Sequence, residues 1–400
     1  MGKNIVICLD GTGNEIEENI SNVLKIYRAV KRRAEPRHGR PAQIVYYAQG
    51  VGTLAEVRLW SRFRQWFTDS FLGKTFGYGI DERVQDAYRY LVRNWEKGDQ
   101  VFIFGYSRGA YTARVLAGML HTVGMLRPDQ INLTGAAYGA YLSEPHGKRV
   151  TPEDEDTRAE TFRRVTGTRS RNCPVRFLGL FDTVGSVLVP NFGEDPKWFF
   201  TRDPYPHTFF NPSVERVRHA VSVDERRQMF PVSLWPDGQD YMRSHRSQPP
   251  HERQALEEVW FAGAHGDIGG GNPRAESGLS QIPLGWMFAG AEAAGMEVNT
   301  RMRDYVCGLK PYTPNTTHLY PAPDPAARLH PSLKRGWWLF EWWPTRAPKT
   351  KPTPGARTRW HFPLGRPRPI PAGASVHPTV YERMERVADY RPANVPGREV

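Results

Sequence analysis

Ser107 stands in Gly105-Tyr106-Ser107-Arg108-Gly109, between the apolar run VFIF and the small-residue helical pattern AYTARVLAGML. A serine hydroxyl becomes a useful nucleophile when a base takes its proton, a carboxylate orients that base, and fixed N–H donors receive the oxyanion. Glycines at both flanks allow a strained strand-to-helix turn that holds Oγ clear of the sheet. The pentapeptide alone is a weak pattern, and its context is what makes Ser107 the candidate nucleophile.

His265 lies where VWFAGA gives way to Gly266-Asp267-Ile268-Gly269-Gly270-Gly271, and those glycines can bring an imidazole over the sheet edge. It is the candidate base. Asp182 follows VRFLGLF in the same topological sense and is the candidate orienter. Asp224, in HAVSVDERRQMF, and Asp267 are the alternative acids. The first reads as a helix start with charge pairing, the second as a brace for its own turn. A cap or salt bridge is the competing reading for all three. The oxyanion donors expected are the N–H of Arg108 and those of Gly11 and Thr12, in a glycine-rich turn that otherwise reads as a plain strand-to-helix junction. Tyr106 and the run Trp198-Phe199-Phe200, with Phe209 and Phe210, are the substrate-pocket candidates.

Three other motifs fail. CLDGT has Cys8 where a phosphatase needs its nucleophilic aspartate. Gly73-Lys74-Thr75 has Thr68 where a P-loop needs glycine, and GDIGGG lacks the dinucleotide register.

The elements that must carry these residues are short apolar runs alternating with helical patterns, the mark of an α/β fold with a mostly parallel sheet. Strands are expected at Asn4 to Leu9, Gln43 to Tyr47, Val101 to Phe104, Val175 to Phe181 and Val259 to Ala264. Ile20, Val23, Leu24, Tyr27 and Val30 mark one helix, and Ile80, Val84, Ala87 and Leu91 another. The runs are continuous rather than alternating, so both sheet faces should be covered by helices. A catalytic domain over 1–310 is expected, with an aromatic insertion at 192–216 as a lid. Residues 311–400 form a Pro/Trp/Arg-rich extension with little periodicity, packed on the same domain.

The 400 residues are 39% hydrophobic and 24% charged, which is globular composition and excludes collagen and coiled coil. Three cysteines are too few for a disulfide framework, and no zinc spacing surrounds them, so no metal site is expected. No apolar stretch reaches ~18 residues, and the start of the chain reads as a strand and turn rather than a signal peptide. A cytoplasmic protein is expected, with export by a dedicated machine left open.

LDGTGN at 9–14, YYAQGVGT at 46–53, GDQVFIFGYSRGAYTARVLAGML at 98–120, FLGLFDTVGS at 177–186, HAVSVDERR at 219–227 and FAGAHGDIGGG at 261–271 occur in this order. Together they resemble a bacterial and fungal α/β-hydrolase domain family long catalogued as of unknown function, which includes the catalytic domains of type VI secretion phospholipase effectors. VHPTVYERM and YRPANVP resemble segments of stand-alone members; the large extra membrane-docking domain of the effectors is not expected here. The resemblance implies an α/β-hydrolase-like fold, a Ser107, Asp182, His265 triad, esterase or lipase chemistry, and no cofactor.

The expected function is therefore cleavage of carboxylic esters, lipid or phospholipid acyl esters foremost. The net charge of +12 and Trp337, Trp338, Trp342 and Trp343 among basic residues suit peripheral contact with an anionic membrane. The alternative is an inactive hydrolase scaffold that binds an anionic surface or nucleic acid. No RRM, KH or zinc-finger signature supports the latter, so a nucleic-acid partner is not expected. The sequence leaves the oligomeric state open.

Overall fold

Alternation inside one continuous apolar run divides each strand between two layers. In β1 (Asn4–Leu9), Ile5, Ile7 and Leu9 join one buried cluster while Val6 and Cys8 join the other. A run buried on both faces can only be an inner strand. The computed structural model describes residues 2–11, 19–50, 75–144, 157–171, 173–185, 205–228, 230–243, 249–333, 338–342, 345–346 and 360–397.

Six further strands join β1: β2 (Gln43–Ala48), β3 (Gln100–Tyr106), β4 (Val175–Phe181), β5 (Arg216–Ser222), β6 (Ala255–Phe261) and β7 (Ser375–Val376). Their order is β7-β6-β5-β4-β3-β1-β2 and every pairing is parallel. Helices Thr75–Asn94, Arg108–Thr122 and Thr134–Leu142 supply one buried cluster, while Asn22–Ala29, Gly278–Ala293 and Thr300–Val306 supply the other. This is the α/β-hydrolase-like sheet, with helices on both faces, that the sequence implies.

Two consequences bear on function. The chain winds outward from β1 to β2, returns past β1 to β3, and then continues the other way. The strand order thus reverses between β1 and β3, and the crevice outside the carboxyl ends at such a point is where open α/β sheets hold ligands. The register also lines those ends along one rim: Leu9 pairs with Gly105, Tyr106 with Phe181, Phe181 with Ala220, and Ser222 with Phe261.

Two sequence readings need correction. The segment around Asp224, read as a helix start, is instead the end of β5 and the turn after it. Arg216 and Arg218 interrupt the apolar run, but Arg218 lays its guanidinium 4.6 Å from the Trp286 ring and pairs with Glu257, which leaves Val217 and Val221 to the core. The strand before His265 also begins earlier than expected, at Ala255, and ends at Phe261.

The C-terminal extension carries more order than its Pro-rich texture suggests. Ser375 and Val376 add a parallel edge to β6, and Pro378–Arg386 is a helix capped by the His377 side chain, which accepts from Thr379 N. From the same extension, Tyr390 donates to Asp224 and Asn394 donates to the carbonyl of Val223. Among the described residues, no helix is long and apolar enough to cross a membrane.

Candidate active site

Ser107 is the first residue past β3 and precedes the helix Arg108–Thr122. Its backbone has φ 57 and ψ −123, a conformation that costs a non-glycine residue about 1–3 kcal/mol. The turn is held by Ser107 N donating to Phe181 O at 3.0 Å and by the Ser107 carbonyl accepting from the N–H groups of Ala110 and Tyr111. The flanking glycines are sterically required. A Cβ on Gly105 would lie 2.4 Å from Gly109 O, and one on Gly109 would lie 2.3 Å from Leu9 O. Ser107 occupies the helix N-cap without using its hydroxyl as a cap, which leaves Oγ for another partner.

That partner is His265. Its Nε2 lies 2.8 Å from Ser107 Oγ, and its Nδ1 lies 2.5 Å from Asp182 Oδ2. An ionised carboxylate only accepts, so Nδ1–H donates to Asp182 and Nε2 faces the hydroxyl as acceptor. His265 opens a short helix, His265–Gly269, and its ring has two aromatic neighbours. The Tyr106 ring packs at 4.8 Å and the Phe230 ring meets it edge-on at 5.2 Å. Gly269 permits this, because a Cβ there would sit 1.9 Å from a Tyr106 ring carbon. Asn22 ties the same short helix to the helix Gly278–Ala293 by donating to both Ile268 O and Ser280 O.

Asp182 turns the chain off β4 at φ 40 and is fully buried. Its Oδ1 accepts from Ser222 N at 3.0 Å and from Arg368 Nη1 at 2.6 Å. Burial pushes this carboxyl up, but the Arg368 charge and the hydrogen bond and charge of His265 outweigh it and hold the group well below the usual carboxylate range. A carboxylate depressed in the folded state contributes stability above its unfolded pKa of about 4, and that stability is lost as pH falls toward the folded value. Thermal melts of wild type and Asp182→Asn should therefore differ most above about pH 5, and the gap should narrow progressively as the pH falls below about 4. A gap constant across that range would mean that the charge of Asp182 carries no stability.

The alternative acids lie elsewhere. Asp224 accepts from Gly263 N at 2.7 Å and from the Tyr390 hydroxyl at 2.8 Å. Asp267 accepts from Ala264 N, Asn272 and His330, bracing the loop as its position suggests. Burial raises the pKa of both.

The oxyanion candidates divide. Arg108 is the first residue of the helix that follows Ser107. The Gly11 N–H donates to Asp10 Oδ1 at 2.7 Å and is occupied there, while Thr12 lies outside the described residues. Tyr106, read as a pocket wall, is 6% exposed, and its hydroxyl donates to His265 O at 3.2 Å. It supports the histidine. Trp198, Phe199 and Phe200 lie outside the described residues, as do 192–204 of the expected lid; Phe209 is 39% exposed. No three His, Cys, Asp or Glu side chains among the described residues group as a metal site.

Sequence reasoning missed two residues. Glu225, fully buried, accepts from His265 N at 3.3 Å, from the Arg227 guanidinium and from Ser332 Oγ. Its signal lies in HAVSVDERR, immediately beside Asp224. Arg368 had no local signal, since RPRPI reads as loop.

A family model described as "T6SS, Phospholipase effector Tle1-like, catalytic domain" matches residues 3–290. The chain belongs to that family. The match spans β1 to β6, together with Ser107, Asp182 and His265. An uncharacterized protein of Saccharomyces cerevisiae is 34% identical over 239 residues, which is 57% of this chain and 32% of that protein. An uncharacterized Pseudomonas aeruginosa protein of known structure is 20% identical with a TM-score of 0.37, covering 76% of this chain and 47% of that one. The Tle1 effector, solved bound to the VgrG spike of the type VI secretion system, is 20% identical with a TM-score of 0.38, covering 67% and 51%. This chain thus spans about a third of the yeast relative and about half of each solved chain.

Proposed function

We propose that the chain is a serine hydrolase that cleaves carboxylic esters of lipids, phospholipid acyl esters foremost, through Ser107, His265 and Asp182. The observation that carries this is the unbroken line from Ser107 Oγ to His265 Nε2 at 2.8 Å and from His265 Nδ1 to Asp182 Oδ2 at 2.5 Å. The lipid class is supported by membership of a family of phospholipase effector catalytic domains.

In the first half-reaction His265 Nε2 takes the Ser107 proton as Oγ attacks the ester carbonyl. The negative charge moves to the carbonyl oxygen, which the N–H of Arg108 meets at the positive end of its helix. The imidazolium then protonates the leaving alkoxide as the C–O bond breaks, leaving an acyl-serine. Water, deprotonated by His265, attacks that acyl group, and the proton returns to Oγ as the carboxylic acid departs. Asp182 holds the tautomer throughout and stabilises the imidazolium.

Trp338 and Trp342, 38% and 64% exposed, support peripheral contact with an anionic membrane together with the net charge of +12. The chemistry is tested with a fluorophosphonate, which forms a stable phosphonyl-serine only where a hydroxyl is activated. Peptide mapping should locate one adduct, on Ser107. Native protein left unlabelled, or labelled at another serine, would overturn the reading.

A further inference from the structure

We infer that Arg368 is a positioning residue of the active centre: its guanidinium holds the far oxygen of Asp182 and so tunes how readily His265 accepts the serine proton. This rests on the triad reading proposed above.

The two oxygens of Asp182 are divided between partners of different kinds. Oδ2 faces the imidazole, whose charge comes and goes, while Oδ1 faces Arg368 at 2.6 Å, a cation at every working pH. Arg368 is itself 7% exposed and is tied at its other end. Its Nη2 donates to Phe230 O at 2.6 Å, and the Phe230 ring is one of the two beside His265. Asn394 anchors its backbone, donating to both Arg368 O and Val223 O. One side chain from the C-terminal extension therefore touches both the carboxylate and the loop that fix the imidazole.

The consequence is electrostatic. A buried carboxylate with only the imidazole beside it would favour the imidazolium, because an uncompensated charge in that setting is costly. The histidine would then hold its proton more tightly and serve as a base only at higher pH. Arg368 on Oδ1 balances the Asp182 charge from the side away from the imidazole and helps to keep the carboxylate ionised. Among the described residues, the charged groups around this helix include Glu225 with Arg227, and Asp267 with His330; Tyr106 is a further titratable contact, and His219 acts electrostatically on Asp182. Glu225 accepts from the His265 N–H, Asp267 accepts from Ala264 N in the same loop, and Tyr106 donates to His265 O, so these contacts reach the backbone around the imidazole.

The test is the pH profile of kcat/KM for p-nitrophenyl butyrate, with Ser107→Ala as the blank. In Arg368→Met the acidic limb, set by His265, should move up by about one pH unit. In Arg368→Lys, which keeps the charge but cannot bridge Asp182 and Phe230 O, the limb should stay in place while kcat falls severalfold. A residue that merely held the fold would move neither limb. An unmoved limb in folded Arg368→Met overturns the inference while leaving the triad intact. If that variant does not fold, Arg368→Lys decides, because a limb that moves with the charge retained also overturns it. Activity that survives Ser107→Ala ends the triad reading itself.

Discussion

Ser107→Ala is expected to lower turnover of p-nitrophenyl butyrate and of phosphatidylglycerol vesicles by about 10⁴-fold or more, since no other hydroxyl can replace an attacking Oγ. The fold should survive. Ser107 is 7% exposed, and its hydroxyl caps no helix, so the backbone bonds to Phe181, Ala110 and Tyr111 that define the turn do not need it. The loss should therefore appear in kcat with an unchanged melting temperature, or a slightly raised one. Measured on both substrates, it separates chemistry from lipid binding: vesicle sedimentation should be unaltered while hydrolysis vanishes. Residual turnover within tenfold of wild type would remove Ser107 from the mechanism.

Asp182→Asn should also cost on the order of 10⁴-fold in kcat, for a different reason. The Asn amide cannot accept the Nδ1 proton and also keep its carbonyl on Arg368 and Ser222, so the imidazole is driven to the tautomer with its proton on Nε2. That nitrogen then points a hydrogen at Ser107 Oγ and cannot serve as base. Unlike Ser107→Ala, this variant keeps a nucleophile, so fluorophosphonate labelling should be slow rather than absent. It also leaves the buried Arg368 charge without its counter-ion, and breaking such a buried pair costs about 3–5 kcal/mol, which a melting curve at about pH 7 would register. Full activity in Asp182→Asn would transfer the orienting role to another acid.

Much of the site was legible because its chemistry needs particular residue types at particular junctions. A serine between two glycines, after an apolar strand and before a small-residue helix, fits a strained nucleophile turn better than an ordinary junction. The close approaches at Gly105 and Gly109 show why those two positions exclude any side chain. Asp182 and His265, which the fold brings together, were singled out by the same rule, a polar residue at the end of an apolar run. The rule failed for β5, whose arginines hide an inner strand, and for Arg368, whose neighbours are prolines and whose partner lies 186 residues away in the chain.

By itself the sequence determined the strand-to-helix junctions, the helix-covered parallel sheet and the chain order of the candidates Ser107, Asp182 and His265. These follow from local hydrophobic periodicity and backbone freedom, which each segment carries on its own. Only the tertiary structure decided which of three acids meets the imidazole, that the Gly11 N–H is already taken by Asp10, and that the C-terminal extension reaches into the centre. Those outcomes depend on strand register and on which buried charges must find partners. Both are properties of segments brought together, and no single segment encodes them.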